Sequence, residues 1–183
     1  MDLTGQDLGT IGVLTPGIYR FSSIAQLTGA LTLDFAGHPE RPFVFQIGTS
    51  LTTASASNLT ILNGASNSAV YWLIGSSATL GTGTTFAGNI LANASITLNT
   101  TARILCGRAI ALTGAVTMDT NTISNDCSHG GDFGSGRSDF GSRGFSGVDV
   151  AGIPEPATWS MLIAGFGIVG AAARLRRQAT VSA

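Results

Sequence analysis

Short runs in which apolar and polar residues alternate recur along the first 123 residues of the chain. The run LTGALTLD at 27–34 returns as LTGAVTMD at 112–119, and aliphatic–threonine–aliphatic triplets stand at 59–61 and 96–98. Successive side chains of a β-strand point to opposite faces. The pattern therefore predicts strands whose aliphatic residues face a core and whose threonines face outward.

The spacing of these strands predicts how they pair. Thr79, Thr97 and Thr117 follow one another at intervals of 18 and 20 residues, and the strands are only three to five residues long. Hairpins of that length have little stability of their own. In a solenoid each strand pairs instead with its equivalent one coil away. We therefore predict an all-β solenoid, a β-helix, with Leu31 facing inward and Thr32 facing outward.

Composition supports a turn-rich β-protein and excludes a class of partner. Charged residues make up only 10% of the chain, lysine is absent, and there are 25 glycines. The charged helix formers that a helical bundle needs are therefore missing. A net charge of −1 with no basic cluster in the first 120 residues offers nucleic acid no electrostatic surface, so we expect no nucleic-acid partner.

The composition changes twice along the chain, which predicts three parts. Residues 1–123 form the solenoid. Residues 124–152 are rich in glycine and serine, repeat a Phe-Gly-Ser unit and contain few aliphatic residues, as is typical of a flexible linker. Residues 153–183 contain an apolar run at 157–173. At about 1.5 Å per residue this run reaches about 25 Å, near the lower limit for a transmembrane helix. A buried core helix is the alternative, but the run lacks a polar face.

The tail resembles a bacterial sorting signal. Its residues are Pro154, Glu155 and Pro156, followed after the apolar run by Arg174, Arg176 and Arg177. This order is similar to the PEP-CTERM signal of Gram-negative bacteria. The resemblance implies recognition by an exosortase, transient anchoring in the inner membrane with the arginines on the cytoplasmic side, and delivery to the cell envelope or outside. Such signals normally accompany an N-terminal secretory peptide, which the first residues do not resemble. We expect the true start of the chain to lie upstream of Met1.

The two cysteines of the chain, Cys106 and Cys127, are 21 residues apart, which is close to one coil. Stacking of successive coils would bring their backbones to about 5 Å, within the reach of a disulfide bond. In an exported protein we expect the two to be bridged and to pin the last coil. Two unrelated buried thiols are the alternative.

Several motifs together resemble the ice-binding protein family of bacteria, fungi and algae. They are TPGIYRF at 15–21, the run at 27–34, FVFQIG at 43–48, GSSATLGTGTTF at 75–86 and GNILA at 88–92. The resemblance covers residues 3–123 and implies a right-handed discontinuous β-solenoid of triangular section with one long helix alongside. It also implies that the protein binds an ice crystal surface, depresses freezing or inhibits recrystallisation.

The chain resembles only the C-terminal part of that family, because further strands and the long helix precede the matching segment there. The solenoid is therefore expected to be N-terminally truncated relative to the family. Val44, Tyr71 and Leu73 alternate with the inward residues Phe45 and Trp72, so both faces of that wall are apolar. An apolar outer wall needs a covering element, a partner or a membrane. We expect these residues to mark where the helix would pack.

The resemblance also implies which residues contact ice. Ice presents ordered, uncharged water, and threonine combines a hydroxyl and a methyl with restricted rotamers. The family's ice-binding wall includes Thr-Ala/Gly-x-Thr/Asn elements, matched in full at 82–85 and only in part at 53–57 and 100–103. An arginine at 103 puts a continuous flat plane in doubt. The candidate ice-binding residues are Thr53, Ser55, Ser57, Thr82, Thr84, Thr85, Thr100, Thr101, Thr120 and Thr122.

Outward threonines also have a purely structural interpretation, since threonine suits the solvent face of any strand. For Thr32, Thr60, Thr97 and Thr117 this structural interpretation is favoured.

Other chemistry is sparse. His38 and His129 have no partner at ligand spacing, so we expect no metal and no cofactor. Some enzymes use β-helices, but Asp34, Asp119 and Asp126 are scattered and lysine is absent. We therefore expect no catalytic residues and no enzyme. The alternatives to ice binding are a non-catalytic adhesin for extracellular polysaccharide and a truncated, inactive homologue.

Overall fold

A computed structural model describes residues 1–65 and 68–124. In this part of the chain, sixteen short strands and one helical turn, α1 (Leu8–Ile11), follow one another. The strands form three parallel sheets, which we call walls A, B and C. Consecutive strands visit the walls in a fixed rotation, so that neighbours within a wall come from successive coils. The predicted all-β fold with solenoid-like pairing of parallel strands is confirmed.

The strands are two to five residues long. In chain order they are β1 (Val13–Leu14), β2 (Gly17–Phe21), β3 (Ala25–Leu27), β4 (Ala30–Asp34), β5 (Phe43–Ile47), β6 (Leu51–Thr53), β7 (Asn58–Leu62), β8 (Val70–Ile74), β9 (Ala78–Leu80), β10 (Thr85–Ala87), β11 (Asn89–Ala92), β12 (Ile96–Leu98), β13 (Arg103–Leu105), β14 (Ala109–Ala111), β15 (Val116–Thr117) and β16 (Thr122–Ile123). Wall A is β2-β5-β8-β11-β14, wall B is β3-β6-β9-β12-β15, and wall C is β1-β4-β7-β10-β13-β16.

Strict alternation along each strand builds the core inside the three walls. Leu31 and Leu33 are fully buried in β4, while Thr32 between them lies half-exposed on the outer side. The same arrangement holds in β12, where Thr97 lies between two buried aliphatic residues. The inward and outward positions predicted from alternation are thus confirmed within the strands.

Aromatic side chains of wall A stack along the core from one coil to the next. Tyr19, Phe45 and Trp72 are in register, with ring centroids 5.2 Å and 3.8 Å apart. The indole nitrogen of Trp72 donates a hydrogen bond to the carbonyl of Ala87 at 3.0 Å. The buried indole is therefore satisfied, and stacking joins three coils through the interior.

The outer face of wall A is also apolar, as predicted. Ile18, Val44 and Tyr71 lie in one row across β2, β5 and β8, and Leu73 on β8 is 38% exposed. Among the described residues α1 is the only helix, and it contacts β3 and β4. The helix expected to cover wall A therefore stays a prediction.

Several predictions for the C-terminal part lie outside the described residues. They concern the linker, the sorting residues and the transmembrane span at 157–173. Within residues 1–65 and 68–124, no helix has the length and apolar character needed to cross a membrane. Cys106 is buried and disulfide-bonded. The only other cysteine of the chain is Cys127, which lies outside the described residues.

Candidate functional site

The outer face of wall B carries a row of threonines. Thr52, Thr79, Thr97 and Thr117 stand in register on four successive strands, and Gln26 occupies the same position on β3. Neighbouring strands of a sheet are about 4.8 Å apart. The wall therefore repeats one β-branched hydroxyl side chain at the spacing of the coils.

A second row lies one strand position away. Ser50, Ser77 and Ser95 each precede a strand of wall B, and all three are half-buried. Their carbonyl groups accept hydrogen bonds from residues of the neighbouring coil at 2.9–3.1 Å. The row is therefore anchored by main-chain hydrogen bonds between coils.

The corner between walls B and C is a ladder of equivalent turns. Ala56, Gly83, Thr101 and Thr120 occupy the same place in successive coils and have φ of 57°, 68°, 59° and 55°. The N–H groups of Ala56, Gly83 and Thr101 donate to carbonyls of the next coil at 2.8, 3.0 and 3.1 Å. These bonds hold the turns in one left-handed conformation and stack them.

The corner extends the hydroxyl surface beyond wall B. Ser55, Thr82 and Thr100 precede the left-handed residue in three successive coils, and all are exposed. Thr101 and Thr120 are exposed at the left-handed position itself. The corner thus brings together five of the residues predicted from sequence motifs.

Three other predicted residues are buried, so the expectation that they face ice is not met. Thr53, Ser57 and Thr84 are 3%, 1% and 0% exposed. The Ser57 hydroxyl donates to the carbonyl of Leu27 at 3.0 Å, and that of Thr84 donates to the carbonyl of Ala54 at 3.0 Å. The left-handed residue before Ser57 and before Thr84 turns the chain, which directs the next side chain inward. These hydroxyls hold the corner together from inside.

Thr85 and Thr122 belong to the neighbouring wall. Both are outward residues of wall C, in register with Arg103 between them. Arg103 is exposed there, so its guanidinium does not interrupt wall B. The doubt that this arginine raised about a continuous plane is therefore removed by the corner.

Charge is confined to the two ends of wall B. The five strands of wall B contain no charged residue. Asp7 pairs with Gln26 at the first coil, and Asp119 accepts a hydrogen bond of 2.5 Å from the Thr100 hydroxyl at the last. Partial burial raises the pKa of Asp7, but hydrogen bonds from Thr28 and Gly9 outweigh it and hold that pKa below its usual range.

The motif-based prediction missed the centre of this surface. Thr52, Thr79 and the serine row were not among the candidates, and Thr97 and Thr117 were interpreted as structural. The signal that could have found them is the register of equivalent strand positions at intervals of 18 and 20 residues between Thr79, Thr97 and Thr117.

No group of three or more histidine, cysteine or acidic residues within the described ranges could hold a metal ion. The chemistry of the surface is therefore that of hydroxyls, methyls and amides.

Comparison with known proteins agrees with this geometry. Residues 1–124 match the Ice-binding-like family, and residues 152–177 match the PEP-CTERM protein-sorting motif. An ice-binding protein of Nostoc sp. (strain HG1) is 64% identical over 126 residues, which cover 69% of this chain and 46% of that protein. The chain thus spans about half the length of that relative.

Solved structures show the same fold. An ice-binding protein from an Antarctic biological consortium superposes with a TM-score of 0.60 at 41% identity, over 67% of this chain and 55% of that one. The ice-binding protein of the ascomycete Antarctomyces psychrotrophicus gives a TM-score of 0.55 at 38% identity, over 70% and 58% of the two chains. The family predicted from the motifs is confirmed: the chain belongs to the ice-binding-like family, and its tail carries the PEP-CTERM protein-sorting motif.

Proposed function

We propose that the chain binds ice through the outer face of wall B and the corner that joins it to wall C. The observation that carries the proposal is the register of Thr52, Thr79, Thr97 and Thr117 on adjacent parallel strands. Relatives of the same family are named ice-binding proteins. The proposed activity is binding alone, with no chemical reaction.

Rigidity of the hydroxyls supports this proposal. Each threonine of the row stands on a parallel strand, most of them between two neighbouring strands, and β-branching restricts its χ1 angle. A crystal of water can be recognised only by groups that keep a fixed spacing, because mobile side chains would lose their freedom on binding. The main-chain ladder at Ala56, Gly83 and Thr101 gives the corner the same stiffness.

Absence of charge in the strands of wall B also supports it. A charged side chain holds its own hydration shell, and removing that shell is costly. Threonine instead offers a hydroxyl for hydrogen bonding beside a methyl group that needs none. The surface from β6 to β15 combines these two features in each coil.

The proposed site contains two sets of residues. From the motif-based candidates it keeps Ser55, Thr82, Thr100, Thr101 and Thr120. To these it adds the row Thr52, Thr79, Thr97 and Thr117 and the serines Ser50, Ser77 and Ser95. The coils are taken to wind in the right-handed sense that the family resemblance implies.

Ice growth in the presence of the purified full chain tests the proposal. We expect the chain to enter a slowly growing ice ball and to produce faceted crystals. Thr97→Arg, which places a guanidinium in the centre of the row, should be excluded from the ice. Round crystals and exclusion of the unaltered chain would contradict the proposal and favour an inactive homologue.

We further infer that the tail directs the chain to the envelope of a Gram-negative bacterium. The PEP-CTERM match at 152–177 supports this. In this proposal an exosortase recognises Pro154, Glu155 and Pro156, while residues 157–173 cross the inner membrane. The arginines Arg174, Arg176 and Arg177 then remain on the cytoplasmic side.

Expression with its natural leader in a bacterium that carries an exosortase tests this second step. The unaltered chain should lose its tail and appear outside the inner membrane. A chain with Glu155→Ala should keep its tail and stay in the membrane fraction. Equal processing of the two chains would contradict the proposed role of the tripeptide.

A further inference from the structure

Wall C contains a step between its third and fourth strands. β4 and β7 pair over five residues, from Ala30 with Asn58 to Asp34 with Leu62. β10 and β13 pair over three residues. Between these two pairs of strands, β7 and β10 are registered only at Asn58 and Thr85. The two strands therefore part beyond this point, and a cavity of about 450 Å³ lies there.

The step arises because the coils differ in length at the corner between walls C and A. Tyr71 comes thirteen residues after Asn58, whereas its partner Asn89 comes only four residues after Thr85. The short corner depends on Gly88, which has φ of 97° and lies so close to Val70 that an added Cβ would meet Cγ1 at 2.7 Å. Coil four therefore turns away early, and β7 of coil three overhangs it.

The cavity has an apolar floor and a polar rim. Its apolar lining includes Ile61, Phe86 and Leu105, and its polar lining consists of Asn58, Thr60, Asn63 and Thr85. Ile61 occupies an inward position, in register with the buried Leu33, yet it is half-exposed because of the step. No charged side chain lines the cavity.

The rim groups are available to a ligand, and one is fixed in place. Within the described ranges, the side chains of Asn58, Thr60 and Thr85 form no hydrogen bond to protein. The amide nitrogen of Asn63 donates to Asp34 at 2.7 Å, which leaves its carbonyl oxygen free to accept. The same carboxylate accepts from the N–H of Ala36 at 2.8 Å. Because both contacts hold Asp34, the Asn63 amide is pre-oriented.

We propose that this cavity binds a neutral sugar unit of an extracellular polysaccharide. A sugar ring presents hydroxyls around its edge and C–H groups on its faces, which matches a rim of hydroxyls and amides above aliphatic and aromatic carbon. The volume lies within the range of small-ligand sites, about 300–1,000 Å³. An anionic sugar would bring its charge against an uncharged lining without a partner, which is unfavourable. The site lies on wall C and is independent of the proposed ice-binding surface.

Amide chemical shifts of the full chain, with its disulfide intact, test the proposal. The probes are cellotetraose and maltotetraose as neutral oligosaccharides and tri-galacturonate as an anionic one, each added to about 20 mM because single-site sugar binding is weak. We expect at least one neutral probe to shift residues 58–61, 85–87 and 105, and the anionic probe to shift none of them.

Two threonines of the same row supply the matched control. Thr60 lines the cavity, and Thr32 is its registered neighbour one coil earlier, outside the cavity. Thr60→Val removes one hydrogen-bonding group and should weaken binding about three- to tenfold, while Thr32→Val should leave it unchanged. Asn63→Ala should weaken binding in the same way and serves if Thr60→Val does not fold. Both variants of the cavity should retain ice binding.

Three results would overturn the proposal. They are no shift at the cavity with either neutral probe, equal weakening by Thr60→Val and Thr32→Val, or stronger binding of tri-galacturonate than of the neutral probes. Loss of ice binding in the unaltered chain would contradict the proposed ice-binding function and would leave these sugar measurements unaffected.

Discussion

The hydroxyl oxygens of Thr53 and Thr84 lie 2.9 Å apart inside the corner between walls B and C, although the two residues belong to successive coils. Thr84 directs its hydrogen to the carbonyl of Ala54, and Thr53 accepts from the N–H of Gly81 at 2.9 Å. Because each hydroxyl has one hydrogen, Thr53 donates to Thr84. The pair is therefore a fully satisfied buried network that joins two coils.

Thr84→Val should destabilise the protein. The substitution leaves the Thr53 hydroxyl and the Ala54 carbonyl without their partner, and a buried unsatisfied group costs about 1–3 kcal/mol. Thermal unfolding followed by circular dichroism should show a melting temperature lower by several degrees. Ice shaping well below that temperature should be retained, since Thr84 is not exposed. An unchanged melting temperature would contradict the assigned role of Thr84.

Thr82→Val, two residues away, should have the opposite effects. Thr82 is exposed on the corner, so its substitution should change the free energy of unfolding by no more than about 0.5 kcal/mol. Loss of its hydroxyl from the proposed surface should reduce thermal hysteresis, the gap between melting and freezing points. The two variants carry the same substitution in one loop and serve as controls for each other. A Thr82→Val chain with full hysteresis would exclude the corner from the ice-binding surface.

Alternation along the sequence predicts side-chain directions within strands but not at corners. In β4 and β12 every inward and outward position follows the period of two. At the corner, a single residue with positive φ, such as Ala56 or Gly83, rotates the chain and changes which neighbour faces inward. Nothing in the sequence of threonines distinguishes the exposed Thr82 from the buried Thr84. The family resemblance therefore indicated the right loop, and only the structure separated its two faces.

Register between distant segments is the other feature that sequence could not supply in full. The repeat intervals indicate that Thr79, Thr97 and Thr117 are equivalent, but the alignment with Thr52 depends on a longer coil between them. The cavity in wall C likewise results from a difference in coil length at Gly88. Such differences become visible only when the coils are stacked.

Stability should fall in acid, and Asp7 should account for part of this. The pKa of Asp7 is lower in the folded chain, because hydrogen bonds from Thr28 and Gly9 favour the carboxylate. A group with a depressed pKa stabilises the fold above its unfolded value, and that contribution is lost as pH falls through the folded value. Chemical denaturation between pH 7 and pH 2 should therefore show a smaller loss for Asp7→Asn than for the unaltered chain.

Asp7→Asn suits this measurement because an amide oxygen can still accept both hydrogen bonds. Some acid sensitivity should remain, since Asp2 and Asp34 also have pKa values lowered by hydrogen bonds. Identical pH profiles of the two chains would contradict the assigned contribution of Asp7.

Reduction of the disulfide should weaken the last coil. Cys106 is disulfide-bonded and Cys127 is the only other cysteine of the chain. A disulfide that closes a loop of this size contributes about 3 kcal/mol in the chain-entropy description. Urea denaturation with and without a reducing agent should differ by roughly this amount, and Cys127→Ser should match the reduced chain in both conditions. A chain equally stable when reduced would contradict a structural role for the bond.

The most direct test of the account compares one substitution on two walls. Thr79 and Thr32 are both half-exposed central residues of threonine rows, the first on wall B and the second on wall C. Thermal hysteresis of Thr79→Tyr and Thr32→Tyr should be measured at equal concentration, after circular dichroism shows that both are folded. The account predicts that Thr79→Tyr loses most of the activity and Thr32→Tyr keeps it. Retained activity in Thr79→Tyr, or an equal loss in both chains, would contradict wall B as the surface that meets ice.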